Sequence, residues 1–395
     1  MESSYGAYDG QPFLSPDQLF ADPGLIQFVM QYGQDGLDAL QDQGDEDHKA
    51  LIEQLIAAGL LERYEDENGQ TRLRLTPQML KGIEHRALEE IFSELKRGVR
   101  DGHRSTEIGR SPERTEGLRP YQFGDPLSEL ALGETMRNAV ARQRAADGRI
   151  QPPIRLQPSD FELHQTESSA DCATVMLLDL SGSMFRYGRF IQAKRVALGM
   201  RALLNMKFPL DSIDFIGFYS LAEPMTERDL PLVMPKPVSI RDYEVRIQVP
   251  LEQARQDPER IPLHFTNLQL GLREARRVLA RRGASNKQIF VVTDGQPTAH
   301  VDENPDGQEI LHLLYPPTQA TREATLKEAM KCRQSGIRIA SFALIEDYWG
   351  MDWVGFIEQM TRLTRGVAYY CTSDDLSSTV IESYLTGKKS KSFLH

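Results

Sequence analysis

Three oxygen-bearing side chains at alternate positions stand in the second half of this 395-residue chain. They are Asp179, Ser181 and Ser183, and they directly follow the apolar run Val175–Leu178. Carboxylate and hydroxyl oxygens, with no His or Cys among them, form a hard-oxygen set that suits Mg²⁺ or Mn²⁺ and does not suit Zn²⁺. The residue types therefore predict a divalent-ion site at the end of this run.

A second carboxylate, Asp294, follows another apolar run, Gln288–Thr293. Serine hydroxyls can bind Mg²⁺ directly while carboxylates hold it through water, because this ion keeps several of its water ligands. Few charges then neutralise the ion in its first coordination sphere. Such a site stays electrophilic and can accept an anionic ligand from outside the chain.

The elements that must position these residues follow from the pattern after Ala173. Apolar runs of strand length alternate there with helical stretches, for example a helix predicted at 188–206 and strands at 213–219, 337–344 and 367–370. This alternation predicts βαβ units and a mostly parallel sheet, an α/β fold. Ligands of open α/β sheets bind at the carboxyl ends of the strands, where both aspartates are expected.

These motifs resemble the metal-ion-dependent adhesion site of von Willebrand factor A (VWA) domains. The matching pieces are Asp179-Leu180-Ser181-Gly182-Ser183, then Thr266 ahead of a helix, then Asp294-Gly295. The resemblance covers about 172–387 and implies a Rossmann-like VWA domain. It also implies Mg²⁺ as cofactor, with Mn²⁺ or Ca²⁺ as other ions.

The same resemblance assigns roles to the five residues. Ser181, Ser183 and Thr266 would ligate the ion directly, whereas Asp179 and Asp294 would hold it mainly through water. An Asp or Glu of a protein partner would fill the remaining position. One departure is the residue before the threonine, where the family often has Gly and this chain has Phe265, preceded by His264. We expect it to narrow the site or shift the threonine loop. The resemblance also implies that the long Pro-rich span 222–262 and the insertion at 298–319 lie near the ion face, as walls of the site that would set partner specificity.

The N-terminal part predicts a helical, winged-helix-like domain at 15–98, behind a flexible tail at 1–14. Helices are expected from Ser15, at 45–63 and at 77–97, and Asn68-Gly69 is a strong hairpin signal between them. The outline fits a DNA reader or a protein-docking module. Its wing, Glu65-Asp66-Glu67, is acidic and would repel phosphates, so nucleic acid is an unlikely partner.

The region between the two domains, 99–171, is interpreted as a linker containing a helix and an edge strand. It opens with an Arg-, Gly- and Ser-rich stretch, continues with a helical pattern at Asp125–Arg144, and alternates in polarity at Asp160–His164. The last residues, 388–395, are interpreted as a basic tail.

Composition narrows the class of protein. The formal net charge is -11, which disfavours a main role in holding nucleic acid or an anionic membrane. The start of the chain has no secretory signal, and no apolar run is long enough to span a bilayer. The three cysteines lie far apart in the sequence and form no metal-ligand or redox spacing, so we expect them to be reduced thiols. We therefore expect a cytoplasmic protein without membrane contact.

Catalytic interpretations of the same residues are weaker. Ser181 lacks a G-x-S-x-G elbow, and no His is placed in the sequence as an evident base, so a hydrolase is disfavoured. A phospho-accepting Asp179 would be expected to have a second Asp two residues later. Position 181 is Ser instead, so this kind of enzyme is also disfavoured. Gly387-Lys388-Lys389-Ser390 lacks the upstream Gly of a phosphate loop. His264 is the histidine closest in sequence to a predicted ion ligand.

The arrangement of a helical N-terminal part and a lone VWA domain resembles bacterial proteins associated with MoxR-type AAA+ ATPases or metal-chelatase D subunits. It implies a non-enzymatic adaptor that captures a partner carboxylate through a bound Mg²⁺. The chain has no Walker A motif, so an ATPase would be a separate chain. Two alternatives stay open: a non-catalytic subunit of a metal-chelatase-like complex, and a winged-helix nucleic-acid-associated factor.

Overall fold

The computed structural model describes a set of residue ranges, and every structural statement below refers to them: 23–43, 46–66, 69–98, 118–120, 130–147, 153–154, 156–164, 171–240, 242–345, 351–372 and 375–389. The chain divides into two compact units. One unit combines Met1–Asp101 with Asp171–Gly387, and the other combines Gly102–Ala170 with Lys388–His395. The expected flexible tail at 1–14 lies outside the described residues.

The N-terminal part of the first unit has the predicted order of helices, hairpin and helix. Its elements are α1 (Pro23–Gln43), α2 (Glu46–Ala57), β1 (Leu61–Glu65), β2 (Thr71–Leu75) and α3 (Pro77–Gly98). The helix expected at 45–63 ends six residues early. Gly59 adopts φ +71°, which favours glycine and ends a helix, and Leu61 then opens the antiparallel hairpin.

The second part of the first unit is built on a six-stranded sheet. In chain order its elements, with those of a smaller sheet, are β5 (Cys172–Asp179), α5 (Arg189–Lys207), β6 (Ser212–Phe218), β7 (Ala222–Met225), β8 (Val245–Pro250), α6 (Leu251–Gln256), α7 (Leu268–Ala280), β9 (Asn286–Thr293), β10 (Ala299–Glu303), β11 (Glu309–Tyr315), α8 (Gln319–Gln334), β12 (Ile337–Leu344), α9 (Met351–Thr364), β13 (Val367–Cys371) and α10 (Leu376–Lys389). Strands β3 and β4 and helix α4 belong to the second unit.

The strand order of the large sheet is β13-β12-β9-β5-β6-β7. All pairings are parallel except that of β6 with the edge strand β7, where Ile216 lies opposite Pro224. This is the expected mostly parallel α/β sheet flanked by helices, and that prediction is confirmed. Strand β5 is buried along its whole length, as a central parallel strand should be.

Alternate residues of β5 face two different apolar cores. Met176 and Leu178 belong to one core, whereas Val175 and Leu177 belong to the other. The first core also contains residues of α1, α2, α3 and the hairpin, including Leu37, so the N-terminal helices cover one face of the sheet. The N-terminal part and the α/β part therefore share one apolar core. Every second side chain of β5 points into it, because successive residues of a strand point to opposite faces of the sheet.

A second, three-stranded antiparallel sheet has the order β10-β11-β8. The segment 298–319, expected only as an insertion near the ion face, forms the hairpin of β10 and β11. Strand β8 comes from the long Pro-rich stretch 222–262 and pairs with β11, with Val249 opposite Leu311. The sequence did not predict this sheet.

The second unit contains part of the region expected as a linker. It has β3 (Leu118–Pro120), α4 (Leu132–Asp147) and β4 (Glu162–His164), and the two strands pair antiparallel. The Arg142 guanidinium donates two hydrogen bonds of 2.8 Å to the buried Asp160 carboxylate. The predicted helix is thus present with shifted ends, and most of 99–131 lies outside the described residues. Helix α10 runs two residues into the expected basic tail.

Candidate functional site

The candidate ion site is defined here as Asp179, Ser181, Ser183, Thr266 and Asp294. Asp179 is the last residue of the central strand β5, and its side chain is buried. One carboxylate oxygen accepts the backbone N–H of Ser181 at 2.8 Å, and the other accepts the Thr293 hydroxyl at 2.6 Å. Two neighbouring strands, β5 and β9, therefore fix this carboxylate at the sheet edge.

A chain of hydrogen bonds joins three of the site residues. The Ser181 and Ser183 hydroxyl oxygens lie 3.1 Å apart, and the Ser183 hydroxyl donates to Asp294 Oδ1 at 2.7 Å. Because its proton points to Asp294, the Ser183 oxygen can only accept in its contact with Ser181, which leaves one lone pair for another ligand. Asp294 follows β9, so the two carboxylates predicted to share this edge do so.

Thr266 belongs to a loop that is tied to the serine loop through the backbone. The Gly182 N–H donates to the His264 carbonyl at 3.1 Å, and the Thr266 N–H donates to Thr298 Oγ1 at 2.9 Å. Thr266 itself is 5% exposed. The next residue, Asn267, caps helix α7 by accepting the N–H of Leu270, which fixes where the loop ends.

The departure at Phe265 does not fill the site with an aromatic ring. Phe265 is buried in the core on the face of the sheet opposite the N-terminal helices, and its N–H donates to the Ser220 hydroxyl. The serine loop is crowded instead at Gly182. A Cβ there would lie 2.6 Å from Val238 and 3.2 Å from His264, so this position requires glycine.

Both segments expected as walls of the site contact its loops. From 222–262, Val238 and the Lys236 carbonyl lie against Gly182. From 298–319, the Thr298 N–H donates to the Thr266 carbonyl, and the Thr298 hydroxyl accepts the Thr266 N–H. The Lys236 N–H also donates to the Leu180 carbonyl at 2.8 Å. The loop carrying Lys236 is therefore fixed to the strand end that bears Asp179.

Burial and charge repulsion act together on Asp179. Removal from water and the nearby negative charge of Asp294 raise the pKa of Asp179 to about 7, while hydrogen bonds from Thr293 and Ser181 oppose the rise. A cation placed at this edge would relieve the repulsion between the two carboxylates.

One positively charged side chain, that of Arg189, already contacts this site, and the sequence did not predict it. Arg189, the first residue of α5, donates from its guanidinium to Asp294 Oδ2 at 2.6 Å. Its side chain is 7% exposed, and that of Asp294 is fully buried. The signal in the sequence was a basic residue in the first turn of a predicted helix, where a positive charge is electrostatically unfavourable.

The five residues of the candidate ion site offer only oxygen donors, which suit Mg²⁺ or Mn²⁺ and do not suit metals that prefer His or Cys. Across the described ranges, no three His, Cys, Asp or Glu side chains are grouped to hold a metal ion. Two carboxylates with three hydroxyls form an oxygen-only set, which Mg²⁺ or Mn²⁺ accepts. The His264 ring lies 3.4 Å from the Ser239 N–H and hydroxyl, and burial lowers its pKa.

An apolar groove of about 600 Å³ begins at the same turn that carries Ser183. Phe185 and Phe190 line one side, and Phe28 and Tyr32 of α1 line the other. The Phe185 side chain is 54% exposed. Large exposed aromatic side chains beside a candidate ion site are a surface of the kind that binds other proteins.

Two protein-family models match the chain. The model described as Rv0959-like protein, vWA domain, covers residues 172–385, and the one described as Rv0959-like protein, third domain, covers 113–166. Uncharacterized protein Rv0959 of Mycobacterium tuberculosis is 30% identical over 352 residues, which are 88% of this chain and 46% of that protein. Uncharacterized protein Mb0984 of Mycobacterium bovis matches equally. The chain spans about half the length of these curated relatives.

Two proteins of bacterial pili are among the solved structures that match the chain. The PilB minor pilin from Streptococcus sanguinis matches with a TM-score of 0.38 and 14% identity, over 61% of this chain and 67% of that one. The vWF domain of the pilus tip protein Mfa5 from Porphyromonas gingivalis matches with a TM-score of 0.36 and 13% identity, over 55% of this chain and 96% of that one.

Proposed function

The chain belongs to the Rv0959-like family of proteins with a VWA domain, and from this membership we propose that it is a metal-ion-dependent protein-binding adaptor. A Mg²⁺ ion at the candidate ion site would capture an Asp or Glu side chain of a partner protein. VWA domains suggest a role in protein interaction or adhesion, and the ion and the carboxylate are the finer proposal. The observation that carries it is the Ser183 hydroxyl, which donates to Asp294 and so keeps an oxygen lone pair for an ion.

The residues present fit the ion. Ser181, Ser183 and Thr266 would supply neutral hydroxyl oxygens, and Asp179 and Asp294 would orient the water ligands. When bound, the ion supplies a positive centre that accepts a carboxylate. The protein's own contribution is rigidity, since the hydrogen bonds of Asp179 to Ser181 and Thr293 fix its carboxylate before any ion arrives.

A binding role is favoured over catalysis by the partners of the serine hydroxyls. A serine nucleophile needs a base within hydrogen-bond reach of its hydroxyl. The partners of the Ser181 and Ser183 hydroxyls are each other and the carboxylates of Asp179 and Asp294, and Asp294 is held by Arg189. His264, two residues before Thr266, contacts Ser239. We therefore propose that the chain is not an enzyme.

The partner we propose is a MoxR-type AAA+ ATPase carried on a separate chain. The N-terminal helices share a core with the α/β part, so an ATPase would meet one rigid body in which the ion and the groove beside Phe185 are fixed. The groove would bury apolar side chains next to the captured carboxylate. The net charge of -11 neither favours nor opposes a carboxylate ligand, because one well-placed ion would decide the contact.

The first test is ion binding by the full chain, measured by isothermal titration with Mn²⁺ and Mg²⁺. We expect one ion per chain, and we expect Ser183→Ala to weaken binding at least tenfold because it removes a ligand. Ser239→Ala is the matched control, since this exposed serine lies on the wall of the site and its hydroxyl contacts the His264 ring. No binding by the wild-type chain would overturn the proposal.

The second test is capture of a purified MoxR-type ATPase by immobilised chain. We expect retention in Mg²⁺, loss in EDTA, and loss with Asp179→Asn. Equal retention in all these conditions would show that the contact does not use the ion. Lack of retention in every condition would reject this class of partner and leave the ion site to be judged by the titration.

A further inference from the structure

Arg189 places a permanent positive charge inside the candidate ion site. Its guanidinium donates to Asp294 Oδ2 at 2.6 Å, while Asp294 Oδ1 accepts from Ser183. Both oxygens of this carboxylate are thus engaged in the described structure. Arginine stays protonated at any pH a protein experiences, so the charge cannot be removed by titration.

The backbone around Arg189 adopts a conformation that favours this contact. Tyr187 and Gly188 both lie in the left-handed region, with φ of +57° and +66°. A left-handed Tyr is unfavourable, and such residues persist where the surrounding structure determines them. The two residues turn the chain between the serine loop and α5, and Arg189 follows immediately.

The helix dipole opposes a positive charge at the first residue of α5. A buried Arg at that position needs a compensating anion, and Asp294 supplies it. The guanidinium also lies 5.2 Å from the Tyr187 ring, within range of a cation–π interaction. The Arg189 side chain is therefore held over a defined part of the site.

We propose that Arg189 is a resident counter-cation of the ion site, which stabilises Asp294 when no ion is present and weakens ion binding when one arrives. This inference rests on the proposed ion-binding function. A divalent ion beside Ser183 would be repelled by the guanidinium, and Asp294 would share its charge between the two cations. The bound ion would then stay more electrophilic toward a partner carboxylate.

The test compares Mn²⁺ affinities of the full chain by isothermal titration. Because one repelling charge is lost, Arg189→Gln should bind Mn²⁺ about tenfold more tightly than wild type. Arg186→Gln is the matched control, since it removes an exposed charge from the same turn and should change the affinity less than about twofold. Arg189→Lys keeps the charge and should stay close to wild type.

A second readout is the thermal midpoint with and without Mn²⁺. Without the ion, Arg189→Gln should melt below wild type, and Mn²⁺ should raise its midpoint by more than it raises that of wild type. Equal or weaker Mn²⁺ binding by Arg189→Gln would overturn the inference. So would an Arg189→Gln chain that stays unfolded in saturating Mn²⁺, because the ion should replace the lost charge. No Mn²⁺ binding by wild type would instead reject the ion site itself.

Discussion

The Lys194 ammonium donates to the Met30 carbonyl at 2.7 Å and so joins helix α5 of the α/β part to helix α1 of the N-terminal part. It also donates to the Pro231 carbonyl at 3.0 Å, on the loop that continues to the ion site. Gly33 kinks α1 just after Met30, with φ +60°, and breaks the regular hydrogen-bond ladder there. One buried lysine thus connects the N-terminal helix to a wall of the site.

The first prediction concerns the pH dependence caused by this lysine. Burial lowers the pKa of Lys194 from 10.5 to about 7. The unfolded chain then holds more protons than the folded chain between these values, so the free energy of unfolding should rise with pH from about 7 to about 10.5. Lys194→Met should lack this rise, which urea unfolding at several pH values would measure. Parallel curves for the two proteins would contradict the prediction.

Ion binding should depend on pH through Asp179. Its pKa of about 7 means that an ion must displace a proton near neutral pH, so Mn²⁺ affinity should increase as pH rises from about 6 to 8. Without the ion, Asp179 holds a proton in the folded chain but not in the unfolded chain between pH 3.8 and about 7, so its contribution to the free energy of unfolding should fall as pH rises across that range. Titration calorimetry in two buffers of different ionisation enthalpy would detect the released proton. Asp179→Asn should release none.

The shared core predicts cooperative unfolding of the N-terminal and α/β parts. Ile91 of α3 is buried against Gly199 of α5, where a Cβ would overlap the end of the Ile91 side chain. Ile91→Ala should therefore lower the free energy of unfolding by about 2–5 kcal/mol, because it opens a cavity between the two parts. Circular dichroism and tryptophan fluorescence should show one shifted transition.

Gly283→Ala is the matched control for that interface, since a Cβ there meets nothing within 4 Å. Two separate transitions, with only one moved by Ile91→Ala, would show that the N-terminal helices unfold independently.

A stacked histidine pair in the β10–β11 hairpin should destabilise the protein in acid. The rings of His300 and His312 lie 4.7 Å apart, and the His300 ring contacts the Thr321 hydroxyl at 3.1 Å. Burial and the neighbouring ring lower the pKa of His300 to about 4, although Asp302 opposes the shift. The unfolded chain holds more protons on this histidine between 4 and 6.5, so the contribution of His300 to the free energy of unfolding should fall as pH decreases through that range.

His300→Phe should remove much of this loss in denaturant unfolding between pH 7 and pH 5. The exposed His85 supplies the control, and His85→Gln should leave the pH dependence of wild type in place. An unchanged slope in His300→Phe would contradict the role given to the pair.

The parts of the fold that the sequence predicted are those with strong local periodicity. The run before Asp179 is apolar at every position, as a strand buried on both faces must be, and Ile337–Leu344 has the bounds that its pattern indicated. The apolar runs that end at Asp179 and Asp294 predicted that both carboxylates lie at one sheet edge. Local pattern is sufficient there because parallel strands align their ends.

The parts that were missed depend on contacts distant in sequence. Strand β8 alternates polar and apolar residues weakly, and its partner β11 follows some sixty residues later. The contact of Arg189 with Asp294 spans 105 positions. Likewise, the sequence predicted the apolar face of α3 but did not predict which element packs on that face. Periodicity identifies a buried face without identifying its partner.

Pro224 at the outer edge of the large sheet has a consequence for aggregation. It lies in β7 opposite Ile216, and proline has no N–H to offer a further strand. The adjacent Glu223 is exposed and adds a charge to the same edge. Cross-β growth by adding strands from other copies is therefore disfavoured at this edge of the sheet.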